Sequence, residues 1–403
     1  MRLLALYDGP SNLFTRLRTI DWDSNADSAI SSLPAALFGP QLQTLAVGSN
    51  QMWPGSITAF ETALAHLPSA CLDLQHLVLR FAVTSRLAET IANLGALRSL
   101  DCGTHIVPVE VIRAAASLPR LRTLQLSAVA EDDGSDPLVA NDDGFESFPE
   151  LRSLDLVSTS GLQLCGLSPF LPLLRKWPPR QLSRVYLCGI LVRGFQEIAT
   201  FIATLGEVVH PDALRAVKFE DLFVSFGDDL IDLTLPITLA DLQPLFTFRN
   251  LEILELDSSD YGNPCYIFSD GDFAHFAAAW PKLKSIKFID YQPREEESLP
   301  SLKALLVLAA GCPLLETIGF SFDASKAAPR IGPDPPVNPS VRTLDVCQSL
   351  ISDPTVVADF LCRLFPNLRT ILSCELEDSQ FPAEGPWSAW SAVREGIRAA
   401  QRG

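Results

Sequence analysis

Histidine is scarce in this chain, and its five copies (66, 76, 105, 210 and 275) stand far apart. None has a ligand-type neighbour at metal spacing. Cys71 and His76 are five apart, but one such pair does not make a zinc site. The nine cysteines include no C-x-x-C pair, and several fall at apolar core positions where cysteine acts as a small hydrophobe. That distribution fits a reducing compartment better than a disulfide framework. No N-x-[ST] acceptor occurs, because Asn338-Pro339-Ser340 is disqualified by its proline. Apolar runs are short: none approaches the roughly 18 residues of a membrane-spanning helix. The run of five after Arg2 is too short for the core of a signal peptide. These absences predict a cytoplasmic or nuclear protein. Positive charge is also in deficit, with a net charge of −17 and a pI near 4.7. Neither a nucleic-acid backbone nor an anionic membrane is therefore an expected partner. The excess acid serves solubility or a preference for basic partners.

The motifs of common chemistries are missing as well. The sequence holds no G-x-x-x-x-G-K-[ST], G-x-G-x-x-G, H-E-x-x-H or G-x-S-x-G. The acidic stretch 131–143 lacks the D-x-[DN]-x-[DN]-G order of a calcium loop and reads as a solvated loop. Carboxylates abound, yet no pair is singled out as acid and base. The reading is no enzyme, no cofactor and no metal.

What is present is a repeat. In Leu251-Glu-Ile-Leu254-Glu-Leu256, apolar anchors stand at positions one, four and six, and alternation at the end predicts a short strand. The frame occurs thirteen times, opening at Leu17, Leu42, Leu74, Leu97, Leu121, Leu151, Leu182, Leu214, Leu251, Leu283, Leu315, Val341 and Leu368. Of its 39 anchor positions 38 are apolar, Ser373 being the exception, and the steps run from 23 to 37 residues. Such recurrence predicts an α/β leucine-rich-repeat solenoid, a curved horseshoe with parallel strands on the concave face and helices on the convex face.

Between frames the pattern switches to helical period, as in Phe60/Leu64/Leu67, Leu87/Ile91/Leu94, Ile198/Ile202/Leu205, Phe273/Phe276/Trp280 and Val357/Phe360/Leu364. Ser352-Asp353-Pro354 is a helix start, with a capping carboxylate and proline in the first turn. Five helices run into P-x-L, at Pro119, Pro149, Pro281, Pro313 and Pro366, where proline ends the helix and returns the chain to strand. Three insertions interrupt the rhythm: the acidic loop 131–143, the stretch 220–244 with a candidate extra edge strand, and the Pro-rich loop 325–339. The expected organisation is a short N-terminal cap over 1–16, a repeat domain of about 13 irregular units over 17–376, and a C-terminal capping helix over 377–403. The amphipathic run around Trp387, Trp390, Val393 and Ile397 would cover the last repeat.

With no catalytic constellation, function falls to the strand wall. Thirteen strands at ~4.8 Å spacing make a wall on the order of 55–60 Å long, the scale of a protein partner. The position before the second anchor is a hydroxyl row (Thr19, Thr44, Ser99, Thr123, Ser153, Ser285, Thr317, Thr343, Thr370), which suits a pleated surface and reads as structural. The position between the last two anchors varies. Its middle stretch, with neighbours, supplies the candidate protein-binding residues Arg184, Tyr186, Lys218, Glu255 and Lys287. Bulky polar and aromatic side chains on a rigid wall are the material of recognition hot spots. The alternative is that the charges on adjacent strands pair with one another.

The run 239–322 resembles the repeat region of fungal F-box/leucine-rich-repeat proteins. The resemblance lies in Leu242-Gln-Pro-Leu245, Asn250-Leu-Glu-Ile-Leu-Glu-Leu256, Ser269-Asp-Gly-Asp-Phe273, Ala278-Ala-Trp-Pro-Lys-Leu-Lys-Ser-Ile286 and Gly311-Cys-Pro-Leu-Leu-Glu-Thr-Ile318. It implies repeats that select a client protein, joined to an F-box that docks a cullin-ligase adaptor. These residues contain no F-box: Leu33-Pro-Ala-Ala-Leu-Phe38 is superficially like one but lies between the first two frames. A cullin-ligase adaptor is thus an expected partner only if an F-box exists outside this chain. The expected function is a non-catalytic protein-interaction module, possessing the client-recognition role of a ubiquitin-ligase receptor or acting as a free-standing scaffold. A Ran-type GTPase-activating repeat protein is disfavoured, because that family's repeats are near uniform in length.

Overall fold

The computed structural model describes residues 16–23, 37–48, 54–103, 105–129, 147–158, 167–168, 170–176, 178–192, 194–224, 236–258, 266–290, 299–326, 329, 336–373 and 386–401. The acidic loop 131–143, most of the cap 1–16 and much of the Pro-rich loop lie outside them, as does 225–235 of the candidate edge strand. The chain divides into two units, Met1–Ile190 and Leu191–Gly403.

Each sequence frame becomes one strand. In the first unit the ladder runs, in chain order, β1 (Thr19–Asp23), β2 (Thr44–Gly48), β3 (His76–Arg80), β4 (Ser99–Asp101), β5 (Thr123–Leu126), β6 (Ser153–Val157) and β7 (Arg184–Cys188). The second unit continues the count with β8 (Ala216–Val224), β9 (Ile253–Ser258), β10 (Ser285–Asp290), β11 (Thr317–Phe320), β12 (Thr343–Asp345) and β13 (Thr370–Leu372). Pairing within each ladder is parallel, and frame position matches frame position: Leu45 lies opposite Leu77, and Leu254 opposite Ile286. The fold is an α/β leucine-rich-repeat solenoid.

Register is set by a recurring backbone device. The carbonyl of the second frame residue accepts two amides from the next frame: Arg98 O receives Arg122 N at 2.8 Å and Thr123 N at 3.0 Å. Glu252 O receives Lys284 N at 2.7 Å and Ser285 N at 3.1 Å in the same way. Just upstream, the P-x-L punctuation forms closed turns. Leu283 N donates to Trp280 O at 3.1 Å, Leu315 N to Cys312 O at 3.1 Å, and Leu368 N to Phe365 O at 3.0 Å. Proline occupies the second residue of each turn, where its fixed φ is favourable.

The anchors fill the space between strands and helices. Leu251, Leu254 and Leu256 are fully buried, as are Leu121, Leu124 and Leu126. The helical-period segments form helices Pro54–Leu64, Leu87–Ala92, Phe195–Val208, Asp270–Ala279 and Pro354–Leu364. Asp353 caps the last of these, its Oδ1 accepting from Thr355 N and Val356 N. Bulky aromatics fill the middle of the second unit, where Phe268, Phe273, Phe276 and Phe288 lie within 4.6–6.4 Å of one another. Trp280 Nε1 donates to Leu245 O at 3.1 Å and so loses no hydrogen bond on burial. The helix Pro386–Ala400 lays Trp390, Val393 and Ile397 against the last repeat, all buried.

Candidate functional site

Strand alternation sends the residues between anchors to the face away from the helices. On β6 and β7 of the first unit that face carries Ser153, Asp155, Arg184 and Tyr186, with Asp155 opposite Tyr186 in the register. Ser153 Oγ donates to Asp155 Oδ1 at 3.0 Å, and Arg184 Nε lies 3.8 Å from the same oxygen. The Arg184 guanidinium also stands over the Tyr186 ring, 5.4 Å from its centre. Arg184 thus remains a mostly exposed cation, oriented by a carboxylate below and an aromatic beside it.

Further along the same ladder, Arg80 reaches across β2 to Asp21, Nη1 to Oδ1 at 3.2 Å. This crossing depends on Gly48. A Cβ there would come within 2.2 Å of the Arg80 Cβ and 2.8 Å of its carbonyl. Asp101 is pushed above the usual carboxylate range by burial, with Asp155 opposing its charge and the Gly103 amide and Arg80 partly offsetting it.

In the second unit Lys218, Glu255 and Lys287 stand directly opposite one another on β8, β9 and β10. Their charges are engaged. Lys218 Nζ is 2.5 Å from Glu220 Oε1 and 3.3 Å from Glu255 Oε2, while Lys287 Nζ is 3.8 Å from Glu255 Oε1. Ser285 Oγ donates to Glu255 Oε1 at 2.5 Å. The Glu255 side chain is only 12% exposed, against 34% and 29% for the two lysines and 33% for Glu220, so Glu255 is the most withdrawn of the four. Burial works against the Lys218 charge, but its bonds to Glu220 and Glu255 outweigh that and hold the ammonium above the ordinary lysine value.

One residue on this face stands apart and was not singled out from the sequence. Asp257 follows the last anchor of β9 and is pushed up to about 7, first by burial and then by the nearby charge of Asp221. Lys287 acts in the opposite direction. Its buried Oδ1 has no hydrogen-bond partner among the described residues. The signal for it in the sequence was only a carboxylate one position beyond the repeating frame, where no periodicity draws attention.

The structure therefore brings Arg184 together with Tyr186 in one unit, and Lys218, Glu255 and Lys287 together in the other. Chemically these faces offer oriented cations, an aromatic ring and partly neutralised carboxylates. The described cysteine thiols are poor nucleophiles where burial dominates: Cys71 is pushed up to about 11, and Cys102 and Cys312 to about 12. Among the described residues no group of three or more His, Cys, Asp or Glu side chains is placed to hold a metal ion. No helix among them is long and apolar enough to cross a membrane.

No family model and no curated protein sequence matches the chain. Among solved structures, an internalin from Listeria monocytogenes is 14% identical over 84% of this chain and 81% of that one, with a TM-score of 0.45. A leucine-rich-repeat protein of Leptospira interrogans is 12% identical over 89% and 84%, with a TM-score of 0.42. A chain of the yeast Rad7–Elc1 complex is 15% identical over 86% and 81%, with a TM-score of 0.41. The fold assignment rests on the chain's own ladders.

Proposed function

We propose that the chain is a non-catalytic protein-interaction module that captures a client protein on the ladder faces of its repeats. The observation that carries this reading is the Arg184–Tyr186 pair: an exposed guanidinium over an aromatic ring on one strand, with Asp155 3.8 Å from the guanidinium. Tyr and Arg on a preorganised surface contribute disproportionately to binding because little side-chain freedom remains to be lost. The second unit's face adds electrostatic selectivity. Around two lysines it gathers Glu220, Asp221, Glu255, Asp257 and Asp345, an acid excess that suits a basic segment of the client.

Resemblance of 239–322 to F-box/leucine-rich-repeat proteins supports a finer reading, in which these repeats are the client-selecting part of a ubiquitin-ligase receptor in the cytoplasm or nucleus. The competing reading is a scaffold with no ubiquitin role. Clients recovered by proximity labelling provide the test. Purified client should bind the chain, and the double substitution Arg184→Ala with Tyr186→Ala should weaken binding by about 2 kcal/mol or more while leaving the circular dichroism unchanged. Unaltered affinity in a folded double variant would sink the ladder-face assignment. For the finer reading, a cullin adaptor should be retained only when an F-box is supplied in cis, and client ubiquitination should then follow client binding. Assembly with the adaptor without ubiquitination of a bound client would leave the scaffold.

A further inference from the structure

A second surface lies at the edge of the first unit where the chain turns into its strands, away from the ladder face. There the second frame residue of each strand points to solvent. In the second unit the first four residues of this row (Arg215, Glu252, Lys284, Glu316) alternate in sign before Arg342 and Arg369, and Glu252 takes Arg215 Nη1 at 3.0 Å and Lys284 Nζ at 2.6 Å. Those bonds, Lys284 first, hold the Glu252 carboxyl below its usual value. The corresponding row of the first unit reads Arg18, Gln43, Gln75, Arg98, Arg122, Arg152 and Ser183, with no carboxylate among them.

Arg98, Arg122 and Arg152 are consecutive in the ladder, since Arg122 N donates to Arg98 O and Arg152 N to Arg122 O. Like charges on neighbouring strands repel, and this chain carries a net charge of −17. Three arginines nonetheless stand on successive strands here. Glu150 pairs with Arg122 at 3.1 Å, and Asp73 is the other acid of these turns. Arg120 adds a fourth cation two residues before Arg122.

Beside this stripe is a pocket of about 410 Å³, with Cys71, Leu72, Leu74, Leu94, Gly95 and Arg120 among its lining residues. Leu72 is 71% exposed and offers apolar surface at the side of the cavity. A Cβ on Gly95 would meet nothing within 4 Å, so the wall there is open. A pocket of mixed lining, with the exposed Leu72 at its side, and the cationic rim therefore share one edge, and Arg120 belongs to both.

We propose that this edge docks a short acidic segment of a partner protein, which seats one large apolar side chain beside Leu72 and lays carboxylates on Arg98, Arg120, Arg122 and Arg152. The spacing suits an extended peptide. Arg98 and Arg152 are two strands apart, ~10 Å, the distance spanned by three residues of extended chain at ~3.3 Å each. The occupant is peptide and not nucleic acid, because four arginines beside a pocket offer too few phosphate contacts to overcome the chain's negative field. This surface is separate from the ladder face and does not rest on the reading of that face.

Phage-displayed random dodecapeptides panned on the full chain provide the test. Enriched sequences should carry one Leu, Phe, Met or Trp with two or more Asp or Glu within about four residues of it, the reach set by strand rise. A fluorescein-labelled enriched peptide should lose at least about tenfold in affinity on Gly95→Phe, which fills the pocket, and likewise on the exposed charge reversal Arg120→Glu. Tyr186→Ala, on the ladder face, should leave it unchanged. Binding should also weaken as salt is raised. Absence of enrichment, enrichment without acidic residues, or affinity indifferent to both substitutions would overturn the proposal. So would an oligothymidylate that binds the same arginines more tightly than the peptide.

Discussion

Trp390→Ala is the perturbation that most directly probes how the solenoid ends. The indole is buried in the helix Pro386–Ala400, its ring edge-on to Phe322 with centroids 5.7 Å apart. Nε1 donates to Ser349 O at 2.9 Å. Truncating a buried aromatic costs about 3–5 kcal/mol, and the abandoned Ser349 carbonyl sits within that range because a terminal helix can shift and admit water. In a repeat protein this loss is felt first by the nearest neighbours. For a folding unit of the size of 191–403, each kcal/mol moves the midpoint by ~2–4 °C, so the second unit should melt about 6–20 °C lower. The milder Trp390→Phe keeps most of the ring and should cost about 1–2 kcal/mol. Differential scanning calorimetry gives the midpoint, and amide hydrogen exchange gives the place. Protection should fall in Pro386–Ala400 and Pro354–Leu364 before it falls in β9 and β10. A midpoint shift below ~2 °C, or equal loosening of both units, would refute the assignment of this helix as the cover of the last repeat.

Other consequences follow from the ladder faces. Asp257 titrates near 7 when folded but near 4 when unfolded, so the native state holds the extra proton between those values. Its contribution to stability is present in full below pH ~4 and is lost as pH rises through ~7; Asp257→Asn should therefore be more stable than the parent at pH 8, by roughly 1–3 kcal/mol in urea unfolding. An unchanged pH profile would show that the carboxyl is not held neutral. Gly48→Ala brings a methyl against the Arg80 Cβ and carbonyl, neither of which is a flexible end, and should destabilise the first unit by about 1–3 kcal/mol as read from its denaturation midpoint. Glu255→Ala leaves Lys218 and Lys287 facing one another without their shared carboxylate and should cost about 1–3 kcal/mol, with a stronger dependence on salt than in the parent. A cost unaffected by salt would mean the lysines do not repel.

The ladder was legible because its determinant is local and repeats. An apolar anchor at one frame position must face the core wherever strands stack, so Leu74/Leu77/Leu79 and Leu283/Ile286/Phe288 announce the same geometry without reference to one another. Helix punctuation was readable for a similar reason: Pro281, Pro313 and Pro366 occupy turn positions that only local backbone chemistry dictates. Side-chain pairing was not readable. Glu255 alternates with Lys218 and Lys287 in the sequence, but whether it faces a partner or closes onto its neighbours depends on rotamers and register across 30 or more residues. The structure places it between the lysines and Ser285. Arg80–Asp21 is more hidden still, since it requires Gly48 on the intervening strand to lack a side chain. Asp257 lies one position beyond the frame, and the arginine row at Arg98, Arg122 and Arg152 lies at a frame position that carries no hydrophobic signal, so periodicity passes over both.

The central claim is that a client is held on the strands and not on the helices. Hydroxyl-radical footprinting of the chain with and without a purified client, read by mass spectrometry at single residues, tests it most directly. Capture should suppress oxidation of Tyr186 and of exposed positions on the flanking strands, while Leu314 and Val356, which are also exposed but lie off the ladder face, stay as reactive as before. Protection confined to helix residues, with Tyr186 unchanged, would contradict the account.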